Sequence, residues 1–287
     1  MPRARRERGA IGVCSGRGRS MVGRKNGRGF ECVVVDVNTQ QDFCRADGIY
    51  PVANADTLVP QLRRVVAWAK RNYAPVISSV EAHRPFEVSD SGHPPCCVDG
   101  SCGQRKLEFT IFPTHALVEA DNTLIVPPDL FSQYQQVIFQ KRTDDLLGNP
   151  KADRLLGLLP VNEYVVFGTG VECSVKALAL ALLARGKSVS IVVDACGFWN
   201  RATADLALRQ IAAKGARLIC VDELRARKLD RTHRYGPPSS NGNGNGNGNG
   251  HIRFANPVLQ PHSRRLPTSA TGSKLDNGNG NGRTVEG

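Results

Sequence analysis

Between residues 31 and 224, short apolar runs alternate with longer stretches of helical periodicity, and this alternation constrains the fold more than any other feature of the chain. Segment 31–37 (ECVVVDV) is a continuous apolar run of the kind a parallel strand needs when both its faces are covered. Segments 75–80, 136–141, 163–168, 188–194 and 216–221 read as further strands, and 123–126 as a weaker one. Between them, 56–73 carries apolar residues at helical spacing through Leu58, Val59, Leu62, Val65, Val66 and Trp68. Segments 152–159, 174–185 and 201–214 also read as helices, the last two closed by Gly186 and Gly215 at the expected position just past a helix end. Strands alternating with helices define a single-domain α/β protein: a three-layer α/β/α sandwich around an open, mainly parallel, Rossmann-type sheet.

The flanks are different in kind. The formal charge of +12 divides into +8 over 1–30, +7 over 225–287 and −3 over the remainder. Residues 1–30 are Arg/Gly-rich and aperiodic, and the far end carries NGNGNG repeats, so both flanks are expected to be disordered around a domain at 31–224. Because the basic charge sits in the flanks, nucleic-acid binding is not expected of the core. No apolar run approaches the length of a membrane span, so no membrane partner is expected. The N-terminus has no apolar stretch of the secretory kind, which points to a cytoplasmic protein whose nine cysteines are core, ligand or nucleophile rather than disulfides.

Ligands of open parallel sheets sit at the carboxyl ends of strands. Those ends carry Asp36, Glu81 with His83, Lys141, and the turn Gly168-Thr169-Gly170 leading to Cys173. A cysteine between a strand and a helix N-terminus has a chemical use, because the helix dipole favours thiolate and glycine-rich turns present N–H groups to an oxyanion. By position alone, however, such a cysteine is more often a small buried hydrophobe.

Three segments in order alter that balance. VVVDVNTQQDF (33–43), QKRTDD (140–145) and VVFGTGVECSVKALALALLARGKSVSIVVDAC (165–196) resemble the acid, lysine and nucleophile segments of the isochorismatase-like cysteine hydrolases. The resemblance spans 31–224. It implies a triad of Asp36, Lys141 and Cys173. It also implies substrate contacts from Phe43, Gly168, Thr169 and Gly170, and an oxyanion site at the Cys173 N–H, often with a cis peptide near 168–170. The sequence departs from the family in two places. Asn38 stands where glutamine is usual, and the Asp42-Phe43 pair arrives two residues late.

Within the family, the segment from Glu81 through His83 to Pro85, followed by Cys96-Cys97-Val98, resembles the nicotinamidase branch. That resemblance implies one divalent metal, zinc favoured, on Glu81, His83 and Cys96, with His93, Cys97 and Cys102 as further donors and no organic cofactor. The equally weighted alternative is that the metal has been lost. Trp68, Cys32, Cys196 and Cys220 read as core, and Trp199 as packing before pocket rim. The expected activity is hydrolysis of a small, nicotinamide-like amide through a thioester, with release of ammonia. An N-carbamoyl amidase, another hydrolase of the family, and a non-catalytic binding module on the same fold are the alternatives. Family relatives are often oligomers, so a homo-oligomer is consistent with the reading.

Overall fold

The computed structural model describes residues 29–85, 94–119, 126 and 130–229. Seven strands form one sheet in the order β3-β4-β2-β1-β5-β6-β7, every neighbouring pair parallel. They are β1 (Phe30–Val37), β2 (Val76–Glu81), β3 (His115–Val118), β4 (Gln136–Lys141), β5 (Val161–Thr169), β6 (Ser188–Gly197) and β7 (Arg217–Ile219). The helices are α1 (Gln41–Cys44), α2 (Ala55–Arg71), α3 (Leu130–Gln133), α4 (Pro150–Leu158), α5 (Lys176–Ala184), α6 (Arg201–Ala213) and α7 (Val221–Ala226).

Two apolar cores cover the faces of the sheet. One packs Val33, Val35 and Val37 of β1 with Val137 and Phe139 of β4 under α4, α5 and α6. The other packs Cys32 and Val34 of β1 under α2 and α7, with Leu58, Leu62, Val65 and Trp68 at its centre. This alternation along β1 is the period-two geometry of a strand, and both its faces are dry because helices lie on each side. Asn149 caps α4 by accepting from the Lys151 N–H at 3.0 Å, with Pro150 at the first helical position. The Asn200 side chain caps α6 from the Thr203 N–H.

Topology places the site. The chain starts at the central β1, passes to β2, crosses to the edge strand β3, fills the gap with β4, and returns to β5 on the other side of β1. The carboxyl ends of β1 and β5 therefore flank the point where strand order reverses, the usual ligand crevice of such sheets. Gly168 allows the two strands to meet there: its φ is +124°, and a Cβ would lie 2.0 Å from the Val37 carbonyl oxygen.

Several expectations change in detail. The fourth strand of the chain is β4, preceded by the unforeseen β3; the strand expected at 123–126 falls almost wholly outside the described residues. The helix expected from 174 is preceded by one turn of π-helix, Val171–Val175, entered through Gly170 at φ +81°. At the other end, α7 crosses residue 224 to Ala226, Trp68 Nε1 donates to the Arg227 carbonyl, and Leu229 is buried. Arg227 there pairs with Glu163 at 3.0 Å. The greater part of the two flanks lies outside the described residues. Among the described residues no helix is long and apolar enough to cross a membrane, and the eight described cysteines are all free thiols.

Candidate active site

At the carboxyl edge of the sheet lies a cavity of about 250 Å³ with Cys173, Glu81, Asp144 and Glu172 on its walls and Phe43, Tyr50 and Trp199 around them. Its volume suits one small ring or a short chain. Cys173 stands in the π-turn after β5, its Sγ 3.7 Å from the Gly170 carbonyl oxygen and 3.9 Å from Ser174 Oγ.

Beside it runs a buried polar chain. Lys141 Nζ donates to Glu81 Oε1 at 2.9 Å and to the Thr143 carbonyl at 2.8 Å, and lies 3.5 Å from Ser174 Oγ. Asn38 Nδ2 donates to the same Glu81 oxygen at 2.7 Å and to Ser174 Oγ at 3.1 Å. The other Glu81 oxygen is 3.1 Å from His83 Nε2. Lys141 and Glu81 meet because they are Cα partners at the ends of β4 and β2, on the face that carries Phe139 and Ile77. Burial alone would raise the Glu81 pKa. The Lys141 charge, with hydrogen bonds from His83 and Lys141, more than reverses that and brings the carboxyl down to about 2.

Asp36 stands apart from this chain. Its Oδ2 accepts from Lys106 Nζ at 2.8 Å and from Ser78 Oγ at 3.1 Å, while Oδ1 is buried without a partner among the described residues. The reason is strand parity. Asp36 follows Val34 on the α2 face, opposite the Val35 and Val37 face that Lys141 shares. Lys106 occupies the place beside Asp36 that the sequence reading gave to Lys141, and it also donates to Thr39 Oγ1. Of the three expected catalytic residues, the structure thus gathers Lys141 and Cys173 around Glu81 and Ser174, with Asp36 in a separate ion pair.

The two-residue delay before Asp42 does not displace Phe43. Asn38 turns into the left-handed region, with φ 49°, and the extra residues form the entry to α1. The Gln40 side chain bridges the backbones of Glu81 and Gln104. Phe43 lines the cavity and meets Trp199 edge-on at 5.6 Å. Trp199, expected as packing, is a cavity wall: it stacks on Tyr50 at 4.8 Å and its Nε1 donates to the Tyr50 carbonyl. Gly168 and Thr169 support the turn rather than the cavity, Thr169 Oγ1 donating to the Asn38 carbonyl. Among the described residues every peptide bond is trans, so the expected cis bond near 168–170 is absent. The Cys173 N–H, expected to meet an oxyanion, donates instead to the Gly170 carbonyl at 3.2 Å.

The helix-start position also does not give a preformed thiolate. Burial, then the Asp144 charge, push the Cys173 thiol up to about 11, with Glu81 adding to the rise. Hydrogen bonds from the Ser174 N–H and hydroxyl work in the opposite direction and do not prevail.

The metal set expected from the resemblance does not converge. Among the described residues no three His, Cys, Asp or Glu side chains are grouped to hold an ion. Glu81 Oε1 is already met by an ammonium and an amide, and a cation there would be set against Lys141. Cys96 is packed into the α2-side core. It is held there because the Asp42 carboxylate accepts from the Cys97 N–H at 2.7 Å and Cys97 turns at φ 50°. His93 lies outside the described residues, and Cys102 is exposed. The described residues do not fit the metal.

Sequence reasoning passed over Asn38, Lys106, Asp144, Glu172 and Ser174 as site-forming residues. Asn38, Asp144, Glu172 and Ser174 lie inside the motif segments and could have been found there. Lys106 lies in an aperiodic stretch that carries no such sign.

An open parallel sheet with a cysteine-bearing turn at its switch point defines an α/β protein with a candidate site at the strand edge. The Isochorismatase domain model matches residues 32–223, and the chain belongs to the isochorismatase family. No match was found among curated proteins. Among solved structures, the chain is similar to a pyrazinamidase of Pyrococcus horikoshii in complex with zinc, at 21% identity and TM-score 0.52 over 66% of this chain and 99% of that one. It is also similar to an isochorismatase-like hydrolase from Alkaliphilus metalliredigens, at 17% identity and TM-score 0.55 over 68% and 97%. A nicotinamidase of Bacillus subtilis matches at 15% identity and TM-score 0.52 over 66% and 99%. At these identities the likeness is one of fold.

Proposed function

We propose that the chain is a cysteine amidohydrolase that cleaves a small amide of nicotinamide size through a thioester on Cys173. The observation that carries this reading is the place of Cys173: a half-buried thiol on the wall of a 250 Å³ cavity at the switch point, beside a buried Lys141–Glu81 pair. Attack of sulfur on the amide carbon forms the C–S bond and breaks C–N, and water then releases the acid from the thioester. The first N–H groups of the π-turn, which have no partner within it, are the donors suited to the oxyanion.

The proton from the thiol needs an acceptor. Glu81 is held by Lys141, Asn38 and His83, its carboxyl brought down to about 2, so it is poorly suited to take that proton in the resting arrangement. Asp144 shares the cavity wall with Cys173 and makes no ion pair among the described residues. In this reading Asp144 takes the proton and delivers it to the leaving amine, while Lys141 and Asn38 fix Glu81 and Ser174, and the Ser174 hydroxyl steadies the thiolate. No step runs through a metal.

Purified protein should release ammonia or amine from small amides, and Cys173→Ala should lose all of that release while keeping its fold. No turnover across a panel of nicotinamide, pyrazinamide and N-carbamoyl amides would defeat the proposal.

A further inference from the structure

The walls of the cavity constrain the substrate more than its nucleophile does. Three carboxylates line it, from Glu81, Asp144 and Glu172, and among the described residues no lysine or arginine does. Lys141 neutralises Glu81 from behind. Glu172 has no such partner. Its Oε1 accepts from the backbone N–H groups of Trp199 and Asn200, both at 2.8 Å, and its Oε2 is buried without a hydrogen-bond partner among the described residues. A buried carboxylate oxygen is rarely left so, and its complement is a donor or a cation. Above these charges stands an aromatic wall. Tyr50 and Trp199 are stacked at 4.8 Å with 19° between their planes, and Phe43 closes the corner edge-on. Trp199 is fixed at both ends, by its N–H to Glu172 and by Nε1 to the Tyr50 carbonyl. An aromatic face beside uncompensated carboxylates is the arrangement that binds organic cations.

We propose that the amide taken by this site carries a positive charge on a compact or flat group, seated against Trp199 and Tyr50 and facing Glu172 and Asp144. The inference rests on the reading of Cys173 as the nucleophile and names its substrate class. It also supplies what the resting site lacks. Burial, then the Asp144 charge, hold the proton on the sulfur, and a bound cation offsets that charge and so favours the thiolate when substrate is present. Neutral amides of the same shape would leave those charges unopposed.

The test compares benzamidine, a flat cation, with benzamide, its neutral near-isostere, on the full-length wild-type chain by calorimetry and by tryptophan fluorescence. Benzamidine should bind about tenfold tighter, within the range that cation–aromatic contacts give. Glu172→Gln and Asp144→Asn should each shrink that preference severalfold; the first keeps the acceptor for Trp199 and Asn200, and the second is at an exposed position, so both should fold. In parallel, kcat/KM for the 1-methylnicotinamide cation should exceed that for nicotinamide. Equal affinity for the two probes, with ammonia still released from neutral amides, overturns the cation site and leaves the hydrolase standing. Benzamidine preference with no amide of either charge hydrolysed overturns the hydrolase and keeps the cation site.

Discussion

The pairing of Lys141 with Glu81, rather than with Asp36, is open to a quantitative test. Lys141 Nζ and Glu81 Oε1 are 2.9 Å apart, with side chains 1% and 8% exposed. Lys141→Met would leave the Glu81 carboxylate buried without its counter-charge, and losing one partner of such a pair costs about 3–5 kcal/mol. The acid side of the pair gives an independent figure. A carboxyl brought from 4.5 to about 2 contributes about 3 kcal/mol of stability. Since the folded-state pKa is depressed, that contribution is present in full above pH 4.5 and is lost as pH falls toward 2. The assay is urea unfolding of wild type, Lys141→Met, Glu81→Gln and the double variant, at pH 7 and at intervals down to 3. The double variant should recover much of the loss, giving a coupling above about 1.5 kcal/mol, and Glu81→Gln should flatten the acid limb. Lys141→Met combined with Asp36→Asn should be additive within about 0.5 kcal/mol, because the two side chains share no partner. A larger coupling of Lys141 to Asp36 than to Glu81 would refute the assignment.

Two further outcomes follow from the nucleophile turn. With its thiol near 11, Cys173 holds about one thiolate in ten thousand at pH 7, so its alkylation by iodoacetamide, followed by peptide mass spectrometry, should rise about tenfold per pH unit from 7 to 10. Asp144→Asn should speed the reaction at pH 8, and a plateau already reached below pH 9 would show that the charges described do not act on the sulfur. Gly170→Ala should place a methyl 2.9 Å from Cys173 Sγ at φ +81°. Its expected cost is about 1 kcal/mol or more in thermal unfolding and a larger loss in kcat, and unchanged turnover would contradict the geometry of the turn.

Much of the fold is legible in the sequence because it rests on local periodicity. The apolar runs ending at Asp36, Lys141 and Gly168 are strands in the structure, and Gly215 closes its helix at φ +103°. The candidate site is only partly legible, for identifiable reasons. Asp36 ends a strand as expected, but a strand that is apolar on both faces does not reveal which face its last residue takes, and one step of parity sends Asp36 to Lys106. Lys106 is 70 residues away in a loop without pattern. Glu81 reads as a metal ligand in a motif, yet its Cα register with Lys141 makes it the ammonium's partner, and register is a property of the assembled sheet. Phe43 keeps its place despite two extra residues because Asn38 adopts positive φ, a freedom Asn has more than most residues but does not always use. Trp199 becomes a cavity wall through Tyr50 and Glu172, contacts spanning 149 and 27 positions that no local pattern encodes.

The central claim is that Cys173 carries the acyl group. Wild-type protein mixed with a small amide, quenched in acid within the first turnovers and digested, should show the Cys173 peptide heavier by the acyl mass and labile to hydroxylamine. An unmodified Cys173 peptide during steady ammonia release, together with full activity in Cys173→Ala, would contradict it.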